Sequence, residues 1–235
     1  GRRLEATVAA MEGADEALAC ASGMTAASVL FQSLVAPGDR VVAASEIYGG
    51  TEAYLRGPLA RQGVETTFVP VRGIERGISP GTRVVLVETV SNPSLRTADL
   101  PRIARQARKA GAILVVDNTF ATPILCRPLG QGAELVFHSG TKFLNGHGDA
   151  LSGIVCGAGR RIAAMRKLAI LTGAGISPLD AWLTLRGLKT LAVRIERSSA
   201  NAVRIARLLR RHRKVECVNV APRIGGPVLS FELKG

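Results

Sequence analysis

A succession of short aliphatic runs, each ending in small polar residues, constrains the fold of this chain more than any other feature. They fall at residues 17–21, 40–44, 64–69, 84–87, 113–116, 135–137 and 153–156. Near-continuous apolar runs of this length are what strands buried on both faces look like. Helix-like segments separate many of them. Residues 4–12 read as an amphipathic helix stopped by Gly13, and residues 25–34 as a second one ended by the Pro37-Gly38-Asp39 turn. A third runs through Arg61. A fourth reaches Lys109, with Asp99 as its cap and Pro101 in its first turn. Strand alternating with helix predicts an α/β fold, a mostly parallel sheet with helices on both faces.

From Pro178 the texture changes. Residues 179–211 read as one long, bent helix, with small or apolar residues at Ala192, Ile195, Ser199, Ala202, Ala206 and Leu209. Its other face carries Arg194, Arg197, Arg204, Arg207 and Arg211, which reads as a solvated face before it reads as a partner stripe. Strands at 215–220 and 228–233 come next. The expected organisation is a large domain at 1–177 and an incomplete, smaller α+β unit at 178–235.

Composition narrows the function. With 47% apolar and 21% charged residues the chain has the makings of a full core and not of disorder. Four scattered cysteines, Cys20, Cys126, Cys156 and Cys217, fit reduced thiols and neither a disulfide framework nor a metal site. No stretch reads as a signal peptide or a bilayer span, so a soluble cytoplasmic protein is expected, without membrane partners. The formal charge of +13 raises nucleic acid as a partner. Aromatics are only 4% and no DNA- or RNA-binding motif is present, so a basic surface drawing in anionic small molecules is the better reading.

In an open parallel sheet, ligands bind beyond the carboxyl ends of the strands. The residues just past each apolar run are therefore the candidates for a site. Ser22-Gly23-Met24 opens a helix, Tyr48-Gly49-Gly50-Thr51 lies shortly after residue 44, and Asn92 shortly after Glu88. Asp117 ends its own run, and Ser139, Thr141 and Lys142 come after His138. Taken singly, each has a plain structural explanation. Together they gather a lysine, an acid, an aromatic, an amide and an anion cradle along one edge. A P-loop is ruled out, since no G-x-x-x-x-G precedes Lys142.

Pyridoxal 5′-phosphate (PLP) needs this whole set. Its aldehyde takes a lysine amine, its pyridine nitrogen a carboxylate, its ring a stacking partner, and its phosphate a helix N-terminus with hydroxyls. A carboxylate at hydrogen-bond distance from that nitrogen supplies on the order of 4 kcal/mol at an effective dielectric of about 20. That is roughly three pKa units, enough to keep the ring a cationic electron sink.

The segments LEATVAAMEG (4–13), ASGMTA (21–26), IYGGT (47–51), ETVSNP (88–93), VVDNTFATP (115–123), HSGTKFLNGHGD (138–149) and SPLDAWLTLRGLKT (177–190) resemble, in order, the Cys/Met-metabolism family of PLP enzymes. That family includes cystathionine γ-lyase and β-lyase, methionine γ-lyase, cystathionine γ-synthase and the homoserine-ester sulfhydrylases. The resemblance implies a fold type I, aspartate-aminotransferase-like architecture and a homo-oligomer, dimer or tetramer, with shared active sites. It implies an amino-acid substrate whose carbon–sulfur bond is cleaved, or an activated homoserine undergoing γ-replacement. It makes Lys142 the covalent attachment point and Asp117 the partner of the pyridine nitrogen. Tyr48 would stack on the ring, and Gly23, Met24, Ser139 and Thr141 would hold the phosphate. Asn92 would lie near the ring's 3-oxygen and the substrate carboxylate. Lys142, Tyr48 and Asp117 are thus the expected catalytic residues. The chain departs from the family in three ways. The Tyr-x-Arg motif and the carboxylate-clamping arginine fall outside it, and the segment between Val220 and Gly225 is shortened. Gly50 stands where methionine γ-lyases usually carry cysteine.

Overall fold

The computed structural model describes residues 1–235. Its first strand, β1 (Glu16–Cys20), lies at one edge of a seven-stranded sheet. The others are β2 (Arg40–Ala44), β3 (Glu65–Val69), β4 (Thr82–Glu88), β5 (Ile113–Asp117), β6 (Leu135–Ser139) and β7 (Gly153–Gly157). Their spatial order is β1-β7-β6-β5-β4-β2-β3. The run from β6 to β3 is parallel, whereas β7 is antiparallel to both of its neighbours. The expectation of a mostly parallel sheet therefore holds, with one reversed strand, β7, next to the β1 edge.

Burial explains the composition of these strands. The core is built from Val41, Val42, Val84–Val87, Ile113–Val116 and Leu135–Phe137, all buried. Helices α2 (Gly23–Leu34) and α4 (Leu100–Ala110) bring Leu30, Phe31, Leu100 and Ile103 into the same apolar cluster. The Asp99 carboxylate accepts the Arg102 N–H at 3.1 Å, so the expected cap is formed. Helix α1 (Arg2–Glu12) packs elsewhere. Its Leu4 and Val8 join Leu144, Leu188, Leu191 and Ile195 in a second cluster.

The expected helix through Arg61 is present. It opens as α3 (Gly49–Tyr54), widens into a π-turn at Leu55–Leu59 around Pro58, whose missing N–H cannot serve the ladder, and closes at residues 60–61. Two expectations need correction. After a four-residue helix, α5 (Thr122–Leu125), an unexpected helix α6 spans Gly159–Leu171. The long helix over 179–211 is two helices, α7 (Pro178–Leu188) and α8 (Leu191–Leu209), broken at Lys189-Thr190. Its apolar stripe shifts accordingly. Leu191 is buried while Ala192 is exposed. Beyond α8, β8 (Val215–Val220) and β9 (Leu229–Leu233) form a separate antiparallel pair. No helix is long and apolar enough to cross a membrane.

Candidate active site

The carboxyl ends of β4, β5 and β6 and the N-terminus of α2 wall a cavity of about 530 Å³, a size that suits a small-molecule ligand. Gly23, Met24, Tyr48, Asn92, Asp117, Ser139, Thr141 and Lys142 all line it. Every residue expected from the sequence is therefore brought to one place.

Each wall follows from local chemistry. Ser22 caps α2, its hydroxyl accepting the Thr25 N–H at 3.1 Å. The amides of Gly23 and Met24 belong to the first turn, where a helix leaves N–H groups without internal partners and favours an anion. Gly23 packs so closely on β6 that a Cβ there would lie 2.8 Å from the Ser139 Cβ and 2.9 Å from its Cα. Helix N-terminus and Ser139 hydroxyl are thereby held side by side. Gly23→Ala is expected to push them apart, a strain of about 1–3 kcal/mol, and so to weaken PLP binding roughly tenfold. Titrating the apo protein with PLP checks this.

Asp117 ends β5 with little exposure to water. Its Oδ1 accepts the Thr119 N–H at 2.9 Å and the Thr119 hydroxyl at 2.5 Å. That hydroxyl in turn accepts the Ser139 N–H at 2.9 Å, which fixes the direction of its own proton. Burial pushes the Asp117 carboxyl above the ordinary aspartate range, against these hydrogen bonds. Glu88, the last residue of β4, is its neighbour in register and lines the same cavity. Burial first, and the charge of Asp117 second, push its carboxyl well above the usual range. Neither acid forms an ion pair within the chain. Two desolvated carboxyls side by side make a site that gains from an added cation or N–H donor. A protonated pyridine ring meets that need, and the anion-seeking end of α2 meets its phosphate.

Lys142 follows β6 in a tight loop, where its N–H reaches the Ser139 carbonyl at 3.2 Å and its own carbonyl accepts the Gly146 N–H at 2.7 Å. The side chain is exposed at the cavity mouth and takes part in no ion pair. Tyr48 lines the cavity next to Glu88. Its N–H donates to Glu88 Oε1 at 2.5 Å, tying the Tyr48 loop to the end of β4.

The sequence pattern did not single out Glu88 or a polar network behind the sheet. Glu88 was legible as the strand-end counterpart of Asp117 in the adjoining run. In the network, the buried Glu12 carboxylate takes the Asn118 side-chain N–H at 2.8 Å and meets His138 Nε2 at 2.7 Å. Asn118 also accepts from the Thr89 hydroxyl at 2.7 Å. Glu12 thus anchors the residue after Asp117 and the residue before Ser139. Its signal was the spacing Leu4, Val8, Glu12, which puts an acid on the buried stripe of α1.

A sheet of this order, with a lysine, a buried acid and a helix N-terminus around one cavity, defines the fold type I class of PLP enzymes. Within that class, the chain belongs to the Cys/Met metabolism PLP-dependent enzymes, whose family model matches residues 1–223. L-methionine gamma-lyase of Pseudomonas putida is 40% identical, the match covering 99% of this chain and 63% of that protein. Cystathionine gamma-synthase of Haemophilus influenzae is 41% identical over 98% of this chain and 63% of its own length. Among solved structures, metB from Corynebacterium glutamicum superposes with a TM-score of 0.94 at 36% identity, covering 98% of this chain and 64% of that one. The chain thus spans just under two thirds of the length of these relatives.

Proposed function

We propose that the protein cleaves the carbon–sulfur bond of cystathionine or a related amino acid by elimination, in the manner of a cystathionine γ-lyase. The observation that carries this reading is the meeting of Lys142 and the Asp117–Glu88 pair in one cavity whose far wall is the amide end of α2. Gly23, Met24, Ser139 and Thr141 would hold the phosphate, Asp117 the ring nitrogen, Tyr48 the ring face and Asn92 the 3-oxygen with the substrate carboxylate, all of them lining the cavity. When bound, PLP supplies an aldehyde that takes up the substrate amine and a ring that takes up the electron pair left at Cα. The Lys142 amine would then be free to remove the Cα proton. Asp117 keeps the ring nitrogen protonated throughout. Removal of a further proton from Cβ would supply the electron pair that breaks the bond from the γ-carbon to sulfur. The Tyr48 hydroxyl would give the departing sulfur its proton, and Glu88 would hold the Tyr48 loop in place through the backbone N–H.

The same residues serve γ-replacement on an activated homoserine, where a second nucleophile in place of elimination completes the reaction. The likeness to a cystathionine gamma-synthase favours this as the second reading. Division at residues 177/178 into a cofactor-binding domain and a smaller unit belongs to the proposal, supported by the seven-stranded sheet ending at Gly157 before β8 and β9 begin. So do cytoplasmic residence and assembly into a dimer or tetramer, the latter supported by exposed Ile170, Leu171, Leu179 and Trp182.

Incubation of the PLP-loaded protein with cystathionine is expected to release a 2-oxo acid and ammonia. Cystathionine formation from O-acetylhomoserine and cysteine, without such release, would replace the first reading by the second. A coloured protein that turns over neither would be a PLP binder without this chemistry.

A further inference from the structure

Helical periodicity puts Arg194 on the polar side of α8 with Arg197 and Arg204, yet the structure half-buries it and gives it no carboxylate. Its guanidinium is spent on main-chain oxygens instead. Nη1 donates to the Phe143 carbonyl at 2.8 Å, and Nη2 donates to Gly187 at 2.9 Å and Leu144 at 3.4 Å. Nε donates to the Thr190 hydroxyl at 3.0 Å. Two of these acceptors are the peptide units directly after Lys142, and the others belong to the α7–α8 junction. The loop is shaped to receive the group. Gly146 sits at φ +78°, and a Cβ there would collide with the Arg194 guanidinium.

We propose that Arg194 is a positioning residue for Lys142, tying the peptide units that come after the lysine to the α7–α8 junction and so fixing the direction in which Nζ enters the cavity. The inference rests on the reading of Lys142 as the covalent handle. The loop has a second anchor, the buried Leu144 side chain packed among Leu188, Leu191 and Ile195. That anchor fixes where the loop lies. Backbone bonds from the Asn145 N–H to Gly140 and from the Gly146 N–H to Lys142 hold the two ends of the loop. The Phe143 and Leu144 carbonyls, by contrast, take their hydrogen bonds from Arg194, and rotation of those two peptides swings the Cα–Cβ bond of a lysine whose side chain has no other restraint. A planar fork can span carbonyls on two segments at once, whereas an ammonium is a single point donor. Misplacement by about 1 Å costs a reacting group on the order of a hundredfold.

The test measures the rate at which Nζ joins the PLP aldehyde, forming a C–N bond with loss of one water. Borohydride trapping reads it by protein mass, and the visible band reads its pH midpoint. Wild type, Lys142→Ala, Arg194→Gln, Arg194→Lys and the exposed control Arg204→Gln are compared. Arg194→Gln is expected to slow trapping on the order of tenfold to a hundredfold and to move the pH midpoint, with Arg194→Lys between it and wild type and Arg204→Gln unchanged. Phosphate-dependent PLP binding, read by equilibrium dialysis, stays within about twofold of wild type. Wild-type rate and midpoint in a folded Arg194→Gln protein would overturn the proposal, whatever happens to its melting temperature. Should circular dichroism show that variant unfolded, Arg194→Lys decides: slowed trapping supports the role and an unchanged rate overturns it. Trapping that persists in Lys142→Ala would instead overturn the assignment of the lysine.

Discussion

Lys142→Ala is expected to give a folded protein that forms no borohydride-trappable adduct with PLP and loses activity by at least about a thousandfold. The side chain is exposed at the cavity mouth and bonds to nothing, so its removal leaves no buried partner unpaired. The loop keeps its backbone contacts to Ser139 and Gly146. A melting temperature close to wild type, with the trapped adduct gone from the protein mass, separates loss of chemistry from loss of fold. A variant that still traps PLP and still turns over substrate would mean that the reactive amine lies elsewhere.

The second large effect is expected at Asp117. Asparagine keeps an oxygen for the two Thr119 hydrogen bonds but brings no charge to the ring nitrogen. Forfeiting an attraction on the order of 4 kcal/mol lowers turnover by about a thousandfold, while covalent attachment at Lys142 survives. Stability of the apo protein moves the other way. Burial raises both the Asp117 and Glu88 carboxyls, so the folded chain holds these protons more firmly than the unfolded one. Apo stability is then lost as pH climbs from the ordinary carboxylate range towards their raised values. Asp117→Asn removes one of the two groups. Apo Asp117→Asn should therefore melt above apo wild type at neutral pH, with a flatter pH dependence, a result that calorimetry from about pH 4 upward can read. A steeper dependence in the variant would contradict the assignment of desolvated charge to this position.

The parts of this site that sit just past strand ends were legible because the sheet's periodicity places them. Asp117, Ser139 and Lys142 needed only the positions of two apolar runs. Other features lie beyond what a linear pattern carries. Helix α6 escaped because Ala158 at its start offers no capping side chain and its buried positions are only Ile162, Met165 and Ala169. Arg194 was misread because a helical wheel shows which face a residue occupies, not that another loop's carbonyls lie against it. The break at Lys189-Thr190 was equally silent, since neither Gly nor Pro marks it. The family motifs supplied the roles of Tyr48 and Asn92, which neither charge nor periodicity could give.

The docking of β1 against β7, and of Glu12 against His138, makes residues 12–20 wait for residues 138–157. During synthesis, the first helix and strand have no sheet to join until the ribosome has released the chain past Gly157. The parallel strands from β2 to β6 can meanwhile collapse on neighbours already made. Completion of the sheet at its β1–β7 end is thus a late event in biogenesis, of the kind that long sequence separations slow.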